Sequence, residues 1–292
     1  MIVDVHTHTP THRDTVPKDE EVVNAVWRPD RPVRATCTWQ DYMDAMKVVD
    51  RAIVFSIAYG PGHRRMDLVE RDPRPNANDD TAALVRRHPD KLIGFLSVDP
   101  AQPDAMDEID RGVSDLKLRG VKLGPNYQNF DPLSPEARAV YARAQTLELP
   151  LLFHQGTSPV RTAPIRYAHP LLMDEIAMEF PELRIIMAHI GHPWQADTCV
   201  VIRKHPHLYA DVSAQFYRPW SYYHAMRLAT EWNVLHKLML GSDFPITTPK
   251  ETIDHLRTVN QAVQVSGLPP IPLDAMEAII HRDSLSLLGL AS

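Results

Sequence analysis

The first apolar run of the chain ends in two histidines one residue apart, "MIVDVHTHTP". Alternate side chains of an extended strand share a face, so Asp4, His6 and His8 would project together, and two imidazoles at that spacing can reach one ion. The pair carries weight only if other residues converge on it. Further along stand Lys122 in "GVKLG", His154 in "LLFHQG", His189 in "IIMAHIGHPW" and Asp243 in "LMLGSDFP". Each alone has a plain reading: a hydrogen-bonded histidine at a strand end, a surface lysine, an aspartate capping the turn before Pro245. Together they offer imidazole nitrogens and a carboxylate, the donor set of Zn²⁺ or another first-row divalent ion, and three or four such ligands leave room for water. An ion held there acidifies water towards a pKa of about 7. A neighbouring carboxylate or imidazole must then take and return protons.

These residues meet only if the fold brings them together. Eight β-rich runs recur along the chain: "IVDVH", "RAIVFSI", "KLIGFLSV", "RGVKLG", "LPLLFH", "RIIMAH", "HLYADVS" and "KLMLGSD". Helical patterns separate them, several opening on Ser, Thr, Asn or Asp, or on Pro in the first turn. Strands alternating with helices pair in parallel. Eight such units predict an α/β fold, a (β/α)₈ TIM barrel, as one domain over residues 1–292; a doubly wound open sheet is the alternative. In a parallel barrel the strand ends that carry His6, His8, Lys122, His154, His189 and Asp243 share one mouth. Two stretches exceed the repeat, from Pro10 to Thr38 and from Tyr59 to Asn76, and both would lie at that mouth as active-site loops. The terminal stretch "PLDAMEAIIHRDSLSLLGL" is expected to pack outside the barrel.

Composition narrows the function. Of 292 residues, 44% are hydrophobic, enough for a large core. Lys and Arg number 31 against 37 Asp and Glu, a formal charge of −6, which gives no footprint for nucleic acid or an anionic membrane. Cys37 and Cys199 are far apart and outside any C-x-x-C spacing, so buried thiols are expected rather than a disulfide or a cysteine metal site. No apolar run reaches membrane-spanning length and no secretory leader is evident, so a cytoplasmic location is expected. Pro (26) outnumbers Gly (11), which suits stiff loops and not a Gly-rich phosphate cradle.

The ordered set "DVHTH", "GVKLG", "LLFHQG", "IIMAHIGHPW" and "LMLGSDFP" resembles the amidohydrolase superfamily over essentially the whole chain. It is most similar to the amidohydrolase-related branch with aminocarboxymuconate-semialdehyde decarboxylase, the hydroxybenzoate decarboxylases and various lactone hydrolases. The resemblance implies that His6, His8, His154 and Asp243 ligate one divalent metal ion, Zn²⁺ in first place, with Mn²⁺ or another first-row metal as alternatives. It implies that His189 binds the reacting water or substrate oxygen and that Asp243 moves the proton. Asp4 fits a role behind a ligand imidazole. In binuclear members a carboxylated lysine on the fourth strand bridges two ions, with His154 and His189 serving the second; in the branch this chain resembles, one ion is the rule. Lys122 is then a substrate-facing or structural cation.

Some of the decarboxylases follow the sixth-strand histidine with Gly and an acidic residue used in proton chemistry. Here His192 stands in that position, and the chain is also shorter than is associated with those enzymes. Both departures favour a hydrolase of a small lactone, ester or amide over a non-oxidative decarboxylase of an unsaturated or aromatic acid. A barrel that binds ligand without catalysis is the third reading, and the intact ligand set argues against it. Arg166 as a carboxylate fork, His192, Lys122 and Trp194 are the substrate-binding candidates. The expected partner is a small-molecule substrate, with no nucleic acid and no membrane; a homo-oligomer such as a dimer stays open.

Overall fold

Two-residue alternation along short strands builds the molecule, whose computed structural model describes residues 1–10, 28–33, 37–66 and 75–291. Ile53 and Phe55, Ile93 and Phe95, Leu152, Ile186, Tyr209 and Met239 pack against one another in an inner cluster. Their strand neighbours Ala52, Val54, Leu92, Leu151, Phe153, Ile185, Met187, Leu208, Ala210 and Leu238 join a second cluster with the helices. A sheet apolar on both faces is what a parallel barrel requires, because side chains fill its inside and helices cover its outside.

The barrel strands are β1 (Val3–His8), β2 (Arg51–Phe55), β3 (Leu92–Gly94, resuming at Leu96–Ser97), β4 (Val121–Leu123), β5 (Leu151–Phe153), β6 (Ile185–Met187), β7 (Leu208–Asp211) and β8 (Leu238–Met239). Their pairing is parallel and sequential. The first part of β3 pairs with β2 and the second part with β4, so that strand joins two sheet segments. Closure comes from β1 against β8: Val5 N–H donates to Leu240 O at 3.0 Å, His8 N–H to Phe244 O at 2.9 Å, and Asp243 N–H to His6 O at 2.8 Å. The ring is therefore the (β/α)₈ barrel expected from the eight runs, and not an open sheet.

The helices between strands are α1 (Trp39–Ala45), α2 (Ala77–Arg87), α3 (Ala105–Ser114), α4 (Pro135–Thr146), α5 (Leu172–Glu179), α6 (Gln195–Lys204), α7 (Pro219–Glu231) and, after β8, α8 (Pro249–Arg257). Thr38, Asn76, Ser134 and Thr248 accept backbone N–H bonds at the starts of α1, α2, α4 and α8, with full capping boxes at Thr38 and Thr248. Among the described residues no helix is long and apolar enough to cross a membrane. Both cysteines are buried, and neither is in a disulfide among the described residues.

Two expectations are corrected. The terminal stretch forms two helices, Leu273–Ile280 and Ser284–Leu287, and the second does not pack outside the barrel. Leu285, Leu288 and Leu290 join the inner cluster with Val3, Val5 and Met239, closing the end opposite the mouth. The alternation of β1 is also broken by a register shift between Asp4 and Thr7. Val3 and Val5 thus share the inner cluster, and Asp4 does not share a face with the two histidines. Of the mouth insertions, 28–33 and the ribbon that pairs Ala58–Tyr59 with Arg64–Arg65 are seen, whereas 11–27, 34–36 and 67–74 lie outside the described residues. Arg28 docks the first insertion over the rings of Phe216 and Tyr217, at 5.2 and 4.7 Å, and donates to Ile246 O at 3.2 Å.

Leu288 has no exposed surface, whereas Leu273 is half exposed. Leu288→Ala is expected to lower unfolding stability by about 2–5 kcal/mol, and Leu273→Ala by less than about 0.5 kcal/mol. Urea denaturation followed by circular dichroism checks the pair. Equal small effects would mean that the terminal helix does not seal the barrel.

Candidate functional site

The inward row of each strand continues into the mouth, and there the hydrophobic residues give way to polar ones. One alternation step beyond Leu152 is His154, beyond Tyr209 is Asp211, and beyond Met239 is Gly241. Lys122 occupies the corresponding place on β4, next to Leu152. His6 and His8 follow the register shift of β1. His189 follows β6 in a turn where it takes a left-handed conformation (φ 58°), and Asp243 follows β8 in the same region (φ 61°). Aspartate and histidine tolerate that conformation better than most residues, and its recurrence at two mouth positions suits a constrained functional site.

Gly241 is the small position that lets this cluster close. A Cβ there would sit 3.1 Å from the Cβ atoms of both Asp211 and His6. His6 Nε2 lies 3.2 Å from Asp243 Oδ1 and 3.5 Å from Lys122 Nζ, and His8 Nε2 lies 3.1 Å from the same Asp243 oxygen. Lys122 is buried, its ammonium 4.7 Å above the Phe55 ring. His154 stacks edge-on against Tyr127 at 4.7 Å and against His189 at 5.1 Å.

One partner went unnoticed in the sequence. Asp211 is fully buried at the end of β7, and its Oδ2 accepts the Nδ1–H of His6 at 2.8 Å. Its Oδ1 accepts the backbone N–H groups of His189 and Ser213, each at 3.0 Å, and the hydroxyl of Ser213. Asp211, and not Asp4, therefore orients the His6 ring. Asp4 Oδ1 instead accepts the backbone N–H groups of His6 and Ser242, both at 3.0 Å, and so ties β1 to β8. The inward parity Tyr209–Asp211 is the sequence signal that marks this aspartate.

Burial raises the Asp211 carboxyl, but the charge and hydrogen bond of His6 outweigh it and hold the group well below the usual carboxylate range. Asp243 is likewise raised by burial and lowered further by His189, His6 and His8, so it stays ionised. Burial pushes His154 well below its ordinary value and His189 down to about 4, leaving both imidazoles neutral with a lone pair to offer. Burial brings Lys122 to about 7.

The donor set fits a divalent ion. His6, His8 and Asp243 present ligand atoms within 4.8 Å of one another. His154 lies outside that group, but its Nε2 is buried with no hydrogen-bond partner, as a nitrogen kept for an ion would be. A second group of His6, His189 and Asp211 has the same spacing. There Asp211 is already engaged by the four donors just described, which makes it an orienting group rather than a second ion site.

The outlying candidates differ. His192 Nδ1 accepts from Gln195 Nε2 at 2.9 Å, and Ser221 Oγ is 3.3 Å away; burial, with Arg218 beside it, pushes the imidazole down to about 4. Trp194 packs on His169 at 4.7 Å. Arg166 is exposed and turns to its neighbour, stacking over Tyr167 and donating to its hydroxyl at 3.0 Å.

A family model described as amidohydrolase matches residues 3–290. The chain belongs to the amidohydrolase family. Solved structures of similar fold include an uncharacterised TIM-barrel protein of Bordetella bronchiseptica, 19% identical with TM-score 0.75, covering 99% of each chain. A probable 2-pyrone-4,6-dicarboxylic acid hydrolase of Acinetobacter baumannii with citric acid bound is 16% identical with TM-score 0.62, again over 99% of each chain. A dihydroxybenzoic acid decarboxylase of a Polaromonas species, with bound manganese and the inhibitor 2-nitroresorcinol, is 16% identical with TM-score 0.65 over 100% and 97% of the two chains. At these identities the neighbours speak for the barrel of this amidohydrolase and not for its reaction.

Because Asp211 holds the His6 ring, Asp211→Asn is expected to weaken zinc binding by about 10–100-fold, the usual cost of losing a group behind a ligand. Chelator competition measures it. An unchanged affinity would show that the His6 orientation does not matter to the ion.

Proposed function

We propose that this amidohydrolase-family barrel is a metal-dependent hydrolase of a small lactone, ester or amide. The observation that carries the reading is the ionised Asp243 oxygen, within 3.2 Å of imidazole nitrogens from both His6 and His8. His6, His8, His154 and Asp243 would hold one ion, zinc first and manganese next, the metal of the Polaromonas relative. Such an ion polarises a carbonyl and acidifies water. Asp243 takes the proton from the attacking water and returns it to the leaving alcohol or amine. Neutral His189 accepts a hydrogen bond from the reacting water, and buried Lys122 closes the inner wall beside His6. A carboxylate on the substrate would meet the cationic and polar side of the mouth near Arg218 and His192.

His192 favours hydrolysis. It stands where some decarboxylases of the branch carry an acidic residue, and a neutral imidazole locked by Gln195 and Ser221 cannot supply that carboxylate. The second reading, non-oxidative decarboxylation of an aromatic acid, is favoured by the likeness to the dihydroxybenzoate enzyme. Incubation with 2-pyrone-4,6-dicarboxylate, a panel of simple lactones and a dihydroxybenzoate in ¹⁸O-labelled water separates the two. Hydrolysis puts label into the product carboxylate. Stoichiometric CO₂ without label would replace the hydrolase by the decarboxylase.

Asp243→Asn keeps an oxygen for the ion but cannot accept a proton. Turnover of whichever probe is hydrolysed should fall between about a hundredfold and ten-thousandfold, with the ion retained. Near-normal turnover would remove Asp243 from the proton path.

A further inference from the structure

Ser213 stands between two groups that the proposed function uses. Its Oγ is within hydrogen-bonding contact of Asp211 Oδ1 and 2.8 Å from His189 Nδ1. A serine hydroxyl has one proton to donate, and an ionised carboxylate can only accept. The Ser213 proton therefore goes to Asp211. His189 can bond to the same oxygen only by donating, so its ring proton sits on Nδ1 and its Nε2 keeps a free lone pair. Through Oδ2, the same carboxylate fixes the proton of His6 on Nδ1 at 2.8 Å. The His189 backbone is pinned as well, since its N–H donates to Asp211 Oδ1 at 3.0 Å while the residue holds its left-handed conformation.

We propose that Ser213 is a positioning residue that relays the Asp211 carboxylate to His189 and holds that imidazole as a hydrogen-bond acceptor at Nε2. One buried carboxylate thereby sets the tautomer of two imidazoles, directly for a metal-ligand candidate and through a hydroxyl for the imidazole that meets the reacting water. In turnover, His189 Nε2 accepts a hydrogen bond from the attacking water while Asp243 takes its other proton, and the neutral imidazole keeps its Nδ1–H on Ser213. The inference rests on the proposed function's reading of His189 as the group that meets the reacting water, but the position of its ring proton can be measured without turnover.

The test uses the zinc-loaded full chain labelled with ¹⁵N-histidine, in two-bond ¹H–¹⁵N correlation spectra, with His189 assigned by its loss in His189→Asn. The wild type should show a protonated Nδ1 and an unprotonated, zinc-free Nε2 at His189. Ser213→Ala should move His189 towards the Nε2–H tautomer without loss of zinc, and Ser213→Thr, which keeps the hydroxyl, should restore the wild-type pattern. A wild-type proton on Nε2 overturns the proposal, whether or not the variants fold. So does a Ser213→Ala spectrum identical to the wild type. Failure to find hydrolysis, with the tautomers as stated, would overturn the reaction and leave the Ser213 relay standing.

Discussion

A carboxylate with no exposed surface sits at the centre of the mouth, and the arrangement of three strands depends on how its charge is met. Burying an ion without partners costs many kcal/mol, so Asp211 must collect donors from whatever surrounds it. It does so from β1 through His6, from the turn after β6 through the His189 backbone, and from its own strand end through Ser213. Each donor comes from a residue whose side chain points at the same small volume. Satisfying the buried charge and aiming the imidazoles are thus one physical event.

The neighbouring seam between β8 and β1 uses a second carboxylate for a different task. Asp4 accepts two backbone N–H groups, one from β1 and one from the segment after β8, and so locks the closing edge of the barrel. That edge delivers Asp243 to His6 and His8. Gly241 suits this place because a Cβ there would stand only 3.1 Å from the Cβ atoms of Asp211 and His6, so that one of them would have to shift. A larger residue there would push apart the pair that orients His6. The consequence is a cluster in which the Nε2 atoms of His6 and His8 lie 3.2 and 3.1 Å from one Asp243 oxygen. Charged Asp243 with the imidazoles of His6, His8 and His154 then forms the mixed donor set that suits a borderline divalent ion.

Much of this was legible in the amino-acid order because parallel barrels write their mouths at strand ends. His154, His189 and Asp243 fall where eight β-rich runs stop, and those runs are the strands observed. Asp211 escaped notice because it lies within "HLYADVS", where a strand aspartate resembles a solvent-facing residue until the inward parity of Tyr209 is known. Asp4 was misplaced for the converse reason: the shift between Asp4 and Thr7 interrupts the alternation on which its face was inferred. The final helix carries leucines that suit either an outer groove or a barrel end, and only the contacts with Val3 and Met239 decide between them. Arg166 and Trp194 lie on mouth loops, where periodicity says nothing of direction.

The central claim is that β1, β5 and β8 hold one ion while Asp211 and His189 stand behind or beside it. Anomalous diffraction at the zinc edge from crystals of the zinc-loaded protein tests this directly. A single strong peak per chain is expected, bounded by His6, His8, His154 and Asp243, with Asp211 hydrogen-bonded to His6 and outside the ion's coordination. A peak between His189 and Asp211, or a second peak bridged through a modified Lys122, would contradict it.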